Sequence, residues 1–346
     1  MRLIEQIWFK DSNLNKVLRL LVTLLLLPLT FLFWLLSIAR IKCFQWGVFK
    51  QIQLDVPVIV VGNISVGGNG KTPVVLWLIE QCLQLGFNVG VISRGYGGKS
   101  EHYPLILDKN TSTAEAGDEP VMIYQRTGIA TVVGPDRIES AKQLIKQGCN
   151  IIISDDGLQH YRLARSIELA IVDGKRGFGN RLLIPAGPLR EGLWRLKKVD
   201  HIIINGGDLE LSTSIKPIRM SLVATYVVNI ASGKRLCLDE FIQLHQKVNA
   251  IAGIGAPQRF FDTLMANKIM IAQHQAFADH YTYNKNDFNV FTKELPLLMT
   301  EKDAVKCQSF AKDYWWYLAV DAQFEYENTA LLLTQISALK NMNNRK

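Results

Sequence analysis

The sequence predicts an α/β fold, and three observations carry that prediction. Apolar, β-branched runs alternate with amphipathic stretches through most of the chain, the pattern of parallel strands joined by helices. One such run, Val58 to Val61, leads into a glycine-rich turn and then into Gly70-Lys71-Thr72 at the head of an apolar helical stretch. Ahead of both, Leu20 to Ala39 holds no charged residue. Together they predict a P-loop NTPase-type parallel sheet domain with a second, smaller α/β domain and an N-terminal membrane helix. The expected divisions are 1–40 for the membrane-associated helix, 41–215 for the P-loop domain and 216–346 for the C-terminal α/β domain.

The formal net charge of +8 points to a polyanionic partner: nucleic acid, anionic lipid or a phosphorylated substrate. Cys43, Cys82, Cys149, Cys237 and Cys307 are scattered with no CxxC pair. That spacing argues against a zinc site and a disulfide scaffold, and fits a reducing compartment.

The uncharged run is long enough to span a hydrocarbon core of roughly 30 Å. Pro28 inside it is tolerable in a membrane helix. A cleaved leader would have a shorter apolar core and a small-x-small site after it. Lys10, Lys16 and Arg19 precede the run, and Arg40, Lys42 and Lys50 follow it, so the positive-inside rule selects no orientation. ATP is cytosolic, so the side after the helix is expected to face the cytosol. A helix lying in the interface stays open as the alternative to a span.

In the glycine-rich turn, Ser65, Val66, Gly67, Gly68, Asn69 and Gly70 are expected to curl so that backbone N–H groups point at phosphate oxygens. The following helix adds the positive end of its dipole. Lys71 would reach the terminal phosphates, and the Thr72 hydroxyl would ligate Mg²⁺. Ser65 stands where the strict pattern has glycine, with Gly67 and Gly68 inside the loop instead.

A second strand is expected over Asn88 to Ser93, ending in the flexible loop Arg94 to Gly98. Asp118 reads as a helix N-cap with Pro120 in the first turn, while the adjacent pair Asp118-Glu119 also invites a catalytic reading. A strand over Ala130 to Val133 and a helix over Asp136 to Gln147 follow. Ile151 to Ser154 is apolar but for its last residue and runs into Asp155-Asp156. Carboxylates at the C-terminal edge of a parallel sheet, near a phosphate loop, suit Mg²⁺.

Strands are expected over Glu168 to Val172 and His201 to Ile204. The stretch between them, Lys175 to Lys198, mixes basic residues with Leu and Trp194, which suits an anionic membrane surface. Beyond it the pattern predicts a hairpin turning at Ser232-Gly233, a strand over Ala250 to Ile254 and a helix over Pro257 to Ala266. A strand over Tyr314 to Val320 and a closing helix over Asn328 to Leu339 complete it. His280 stands beside Asp279, which could orient or charge it.

The stretches VGNISVGGNGKTP, ISRGYGG, GDEP, ISDDGLQH, LLIPAGPLRE, AGIGAPQRFF, ADHY and MTEKDA occur in that order. In this the chain resembles the tetraacyldisaccharide 4'-kinase family, the lipid A biosynthesis kinases of Gram-negative bacteria. Ser65 is no departure within that family. The resemblance implies transfer of the ATP γ-phosphoryl group to the 4'-hydroxyl of a tetraacylated glucosamine disaccharide 1-phosphate, with Mg²⁺. It implies Lys71 and Thr72 at the phosphates, Asp118 as base with His280 as its partner, and Glu119, Asp155 and Asp156 as acids associated with Mg²⁺. Arg137 and Arg190 match arginines near the phosphates or the lipid head group. Because Asp118 and His280 come from different halves of the chain, closure of two domains is expected to join them. The implied partners are the acylated disaccharide and inner-membrane lipid, with no nucleic acid. The implied setting is a monomer at the bacterial inner membrane with its active site on the cytoplasmic face. The rival reading is a membrane-associated P-loop ATPase switch. Partitioning-type ATPases carry an extra lysine near the position of Ser65, and this chain has none there.

Overall fold

A computed structural model of the chain describes residues 3–9 and 16–343. The elements begin with α1 (Leu3–Trp8), α2 (Lys16–Gln45), β1 (Val58–Gly62), α3 (Lys71–Gln84), β2 (Val89–Ser93) and β3 (Leu105–Ile106). Next come α4 (Thr113–Ala116), α5 (Asp118–Thr127), β4 (Thr131–Val133), α6 (Arg137–Lys146), β5 (Ile151–Asp155), β6 (Ile167–Asp173) and β7 (His201–Asn205). The chain continues through β8 (Ile218–Asn229), β9 (Arg235–Cys237), α7 (Leu238–Leu244), β10 (Lys247–Ala252), α8 (Pro257–Ala266) and β11 (Met270–Ala276). It closes with β12 (Leu297–Thr300), α9 (Glu301–Cys307), β13 (Trp315–Phe324) and α10 (Tyr326–Asn343).

Two compact units share these elements. One comprises Met1–Gly90, Ile145–Ser221 and Phe324–Lys346; the other comprises Val91–Leu144 and Leu222–Gln323. Sequence order placed residues 91–144 with the phosphate loop. By contact they go with the C-terminal strands, because Ala116 and Val121 share an apolar cluster with Val305.

In the first unit, β1 lies between β5 and β6, and β7 flanks β6, all parallel. Every residue of β1 and β5 is buried, as expected of strands covered on both faces. Val74, Val75, Leu78, Ile79 and Cys82 of α3 are buried. Each fully buried Val, Leu or Ile side chain contributes about 1.5–3 kcal/mol. The register pairs Val61 with Asp155 and Gly62 with Ala170, so the phosphate loop leaves the sheet beside the end of β5.

In the second unit, β10 sits between β11 and β12 in parallel register, and β12 pairs with β13 in the same sense. Alternate residues feed opposite faces: Ala250 and Leu298 pack with Phe241, Phe261 and Trp316, while Ile251 and Met299 pack with Phe288 and Trp315. β8 and β9 form the expected hairpin, with Asn229 N donating to Lys234 O at 2.8 Å.

α2 is 30 residues long and apolar enough to cross a membrane by length and composition. It is continuous through Pro28. Its less exposed residues include Val22, Leu26, Thr30, Phe33, Ser37 and Ile41, at steps of three and four, so one stripe lies on protein. The Thr30 hydroxyl accepts from Ala186 N at 3.0 Å, and the Phe44 ring lies 5.9 Å from that of Tyr161. Near its start, Arg19 donates to Phe9 O at 3.3 Å, and Trp8 Nε1 donates to Pro185 O at 2.9 Å. The other faces, including Leu21, Leu25, Leu32 and Leu36, are exposed.

These contacts change the reading of Lys175 to Lys198. Leu189 and Leu196 are buried, and Arg195 is only 3% exposed, bonded to Glu168 at 2.5 Å. The exposed cations of the stretch are Lys175, Arg181, Lys197 and Lys198. Deleting residues 1–40 is expected to move the chain from the membrane pellet to the supernatant on sedimentation. Full retention in the pellet would assign attachment to those exposed cations instead.

Candidate active site

The phosphate loop is held from below by its own unit. Val66 N donates to Pro188 O at 2.8 Å, and Arg190 N donates to Ile64 O at 2.7 Å. Ser65 is buried, and its hydroxyl accepts from Asn69 Nδ2 at 3.0 Å, so the residue that broke the strict pattern is a loop brace. Gly70 caps α3 with φ 88°, and a Cβ there would lie 2.5 Å from Asn205 Nδ2. Both the left-handed backbone and the close approach require glycine. Asn205, at the end of β7, donates to Asn69 O at 3.2 Å. Lys71 and Thr72 open α3, where backbone N–H groups lack intrahelical partners and the dipole is positive.

The two acids after β5 are used differently. Asp155 is the last residue of β5 and is 1% exposed. Asp156 has φ 48°, uncommon for a residue with a side chain. Its carboxylate lies 3.6 Å from Lys71 Nζ and accepts from Arg190 Nη1 at 2.9 and 3.2 Å. Asp156 thus bridges the loop lysine and Arg190. The next residue, Glu191, is buried and accepts from Gln159 at 3.0 Å and from the Tyr161 hydroxyl. Burial, then the Glu191 carboxylate, push the Tyr161 phenol up, so it remains a donor.

The second unit holds its own cluster. Asp118 is the first residue of α5, not its cap: Gly117 takes the cap position with φ 88° and no side-chain cap bond forms. The Asp118 carboxylate is instead 3.0 Å from His280 Nδ1. Both residues belong to one compact unit, so the pair forms without closure of two domains. His280 has φ 60°, a left-handed backbone, and its N–H donates to Asp279 Oδ1 at 3.1 Å.

Two lysines one turn apart on α9 neutralise this cluster. Lys302 Nζ lies 3.4 Å from each of Glu119 Oε1, Asp279 Oδ1 and His280 Nε2. Burial pulls the Lys302 ammonium down, but Glu119, Asp279 and Asp118 outweigh it, and its pKa stands above the ordinary lysine value. Lys306 Nζ is 2.8 Å from Asp303 Oδ1 and 3.9 Å from Asp118 Oδ2. Asp303 is 0% exposed and accepts from Gly253 N at 2.9 Å, Tyr283 OH at 3.1 Å and Thr300 Oγ1 at 2.6 Å.

Sequence reasoning missed Lys302, Asp303, Lys306 and Asn205. The signal for the lysines was the i, i+4 spacing within MTEKDAVK, which sets both on one helix face. Arg137, at the start of α6, is buried and donates to Gly134 O at 2.7 Å.

A buried parallel strand, a braced glycine-rich loop and a Lys-Thr pair at the head of the next helix define a P-loop nucleotide-binding α/β protein. Comparison with known proteins narrows this. Residues 22–337 match the family model described as tetraacyldisaccharide-1-P 4'-kinase. The chain is 55% identical over 341 residues to a tetraacyldisaccharide 4'-kinase of Colwellia psychrerythraea, covering 97% of this chain and 98% of that one. It is 50% identical over 317 residues to that of Psychromonas ingrahamii, covering 91% of this chain and 96% of the relative. Its fold is similar to that of LpxK from Aquifex aeolicus, crystallised in complex with ATP, with a TM-score of 0.79 and 27% identity. That likeness covers 92% of this chain and 99% of the other. The chain belongs to the tetraacyldisaccharide-1-P 4'-kinase family.

Replacing Asp303 would strand the buried Lys306 ammonium and three donors. Asp303→Ala is expected to cost about 3–5 kcal/mol of stability, read as a lowered denaturant midpoint. An unchanged midpoint would show that water replaces the carboxylate.

Proposed function

We propose that the chain transfers the γ-phosphoryl group of ATP to the 4'-hydroxyl of a tetraacylated glucosamine disaccharide 1-phosphate, a step of lipid A biosynthesis. Family membership over nearly the whole chain supports the substrate class. The observation that carries the chemistry is the 3.0 Å contact of Asp118 with His280, in a chain that also holds a phosphate loop.

Phosphoryl transfer needs positioning and charge neutralisation more than covalent help. The backbone N–H groups at the head of α3 and the Lys71 ammonium meet the phosphate oxygens. Asp118 accepts the proton of the attacking hydroxyl as the new oxygen–phosphorus bond forms, while the bond between the γ-phosphorus and its bridging oxygen breaks and ADP leaves. His280 donates to one carboxylate oxygen of Asp118 and leaves the other to take that proton. Arg190 and Lys71 are held ready by Asp156, which releases them to the phosphates as these enter.

The donor chemistry fits Mg²⁺, which is bound through one or two carboxylates and substrate phosphates more often than by an all-protein cage. Thr72 and Asp155 offer hard oxygens at the head of α3 and the end of β5, and they would hold the ion. When bound, it would neutralise charge on the phosphates. Asp156, engaged by Lys71 and Arg190, is assigned to the charge network around that position, and Glu119 to the lysine-bound cluster of its own unit. Arg137 supports the loop at Gly134 and enters the substrate reading only through it.

The proposed setting is a monomer at the cytoplasmic face of the bacterial inner membrane, with lipid and no nucleic acid as partner. The wide exposed apolar surface of α2 supports the membrane part of that setting. An ATPase switch would leave the Asp118–His280 pair without a task.

Lys71→Ala and Asp118→Ala are each expected to lower transfer from radiolabelled ATP to the acylated disaccharide by about 100-fold or more, with folding retained. Near wild-type turnover of Asp118→Ala would remove it as the base. A soluble sugar serves as the control acceptor.

A further inference from the structure

Asp118 can be served by His280 only if Nδ1 carries a proton, and an imidazole can place its proton on either nitrogen or on both. The surroundings of His280 decide between these forms. Nδ1 faces the Asp118 carboxylate at 3.0 Å, a pure acceptor when ionised. Nε2 faces the Lys302 ammonium at 3.4 Å, a group with three donors and no acceptor. An Nε2–H would therefore point a proton at a cation, and a bare Nδ1 would point a lone pair at an anion. Both contacts select the same neutral form.

The doubly protonated ring has one friend in the structure. Asp279 Oδ1 is 3.9 Å from Nε2 and would accept from it. But Lys302 also lies 3.4 Å from Asp279 and occupies the carboxylate. The remaining neighbours do not alter the balance. The Tyr96 ring packs 5.2 Å from the imidazole, Glu119 pairs with Lys302, and Lys306 Nζ lies 3.9 Å from the same Asp118 oxygen that faces Nδ1, away from the Nε2 contact with Lys302. Lys302 itself stays charged, since three carboxylates outweigh its burial.

We infer that Lys302 is a positioning residue that holds His280 neutral as the Nδ1–H tautomer, so that the ring donates to Asp118 and keeps no proton on Nε2. Lys302 reaches Asp118 through the ring. Its effect is to stop Asp279 from turning the imidazole into an imidazolium. The catalytic meaning of this rests on Asp118 being the base. The tautomer does not, and can be read with no substrate present.

The test is nitrogen NMR on the full chain in detergent, with histidine labelled on both ring nitrogens and the His280 signals assigned by their loss in His280→Gln. At neutral pH the wild type is expected to show one protonated and one bare ring nitrogen, with the protonated one assigned to Nδ1. In Lys302→Met the bare Nε2 signal should vanish as both nitrogens take imidazolium positions, Asp279 now being free to accept. Lys302→Arg, which also can only donate, should restore the wild-type pattern. A wild-type ring protonated at Nε2 overturns the assignment without need of any variant. So does a Lys302→Met spectrum identical to wild type. If the spectra behave as expected while Asp118→Ala keeps its turnover, the base reading fails and the tautomer assignment stands.

Discussion

A strand covered on both faces cannot send polar groups to solvent along its length. β1 is such a strand, so its backbone finds its partners in β5 and β6 and its polar work is deferred to its end. The phosphate loop starts where that constraint is released. Asp155 ends β5 at the level of Val61, Asp173 ends β6, and Asn205 ends β7. Three neighbouring strands thus bring polar residues to the same edge. The loop's shape follows from what those ends offer: Asn205 limits position 70 to glycine, and the segment at Pro188 and Arg190 grips Val66 and Ile64.

The second unit meets a different difficulty, a concentration of carboxylates of which Asp118 and Asp303 are buried. Asp118, Glu119, Asp279 and Asp303 lie along a line of contacts, with Lys302 and Lys306 to offset them. The lysines offset that charge, and their placement on α9 makes that helix an electrostatic spine for residues drawn from α5 and from the Asp279-His280 turn. His280 and Asp156 share a further trait: each adopts a left-handed backbone. Strained positions of this kind persist where the surroundings over-determine them, as at functional sites.

Most of the first unit was legible in the sequence because its strands are continuous apolar runs and its helices amphipathic. Val58 to Val61 and Ile151 to Asp155 fell where the pattern placed them, as did Pro257 to Ala266 in the second unit. β11 was not legible: Met270 to Ala276 is mostly exposed, and its residues alternate too weakly to mark a strand. α7 and α9 were hidden by their brevity, seven residues each. Within the site, Lys71, Thr72, Asp118 and His280 stood out by motif or resemblance. The cap assigned to Asp118 was a fair local reading that a longer-range partner displaced. The stretch MTEKDA was legible but the roles of Lys302 and Asp303 were not, because these lie in what the side chains touch, and no local pattern records a contact across 183 residues, as between Lys302 and Glu119.

The stripe on α2 bears on how such a protein would meet a bilayer. The helix touches its own unit near Arg19, at Thr30 and at Phe44, a reach of about 38 Å at 1.5 Å per residue. Any placement of the helix in a bilayer therefore carries the backbone around Ala186 with it. Its free faces, Leu21, Leu25, Leu32 and Leu36 among them, are what it offers to lipid. An enzyme moored this way searches in two dimensions. It would encounter an acylated acceptor by lateral diffusion, without lifting the acyl chains out of the lipid.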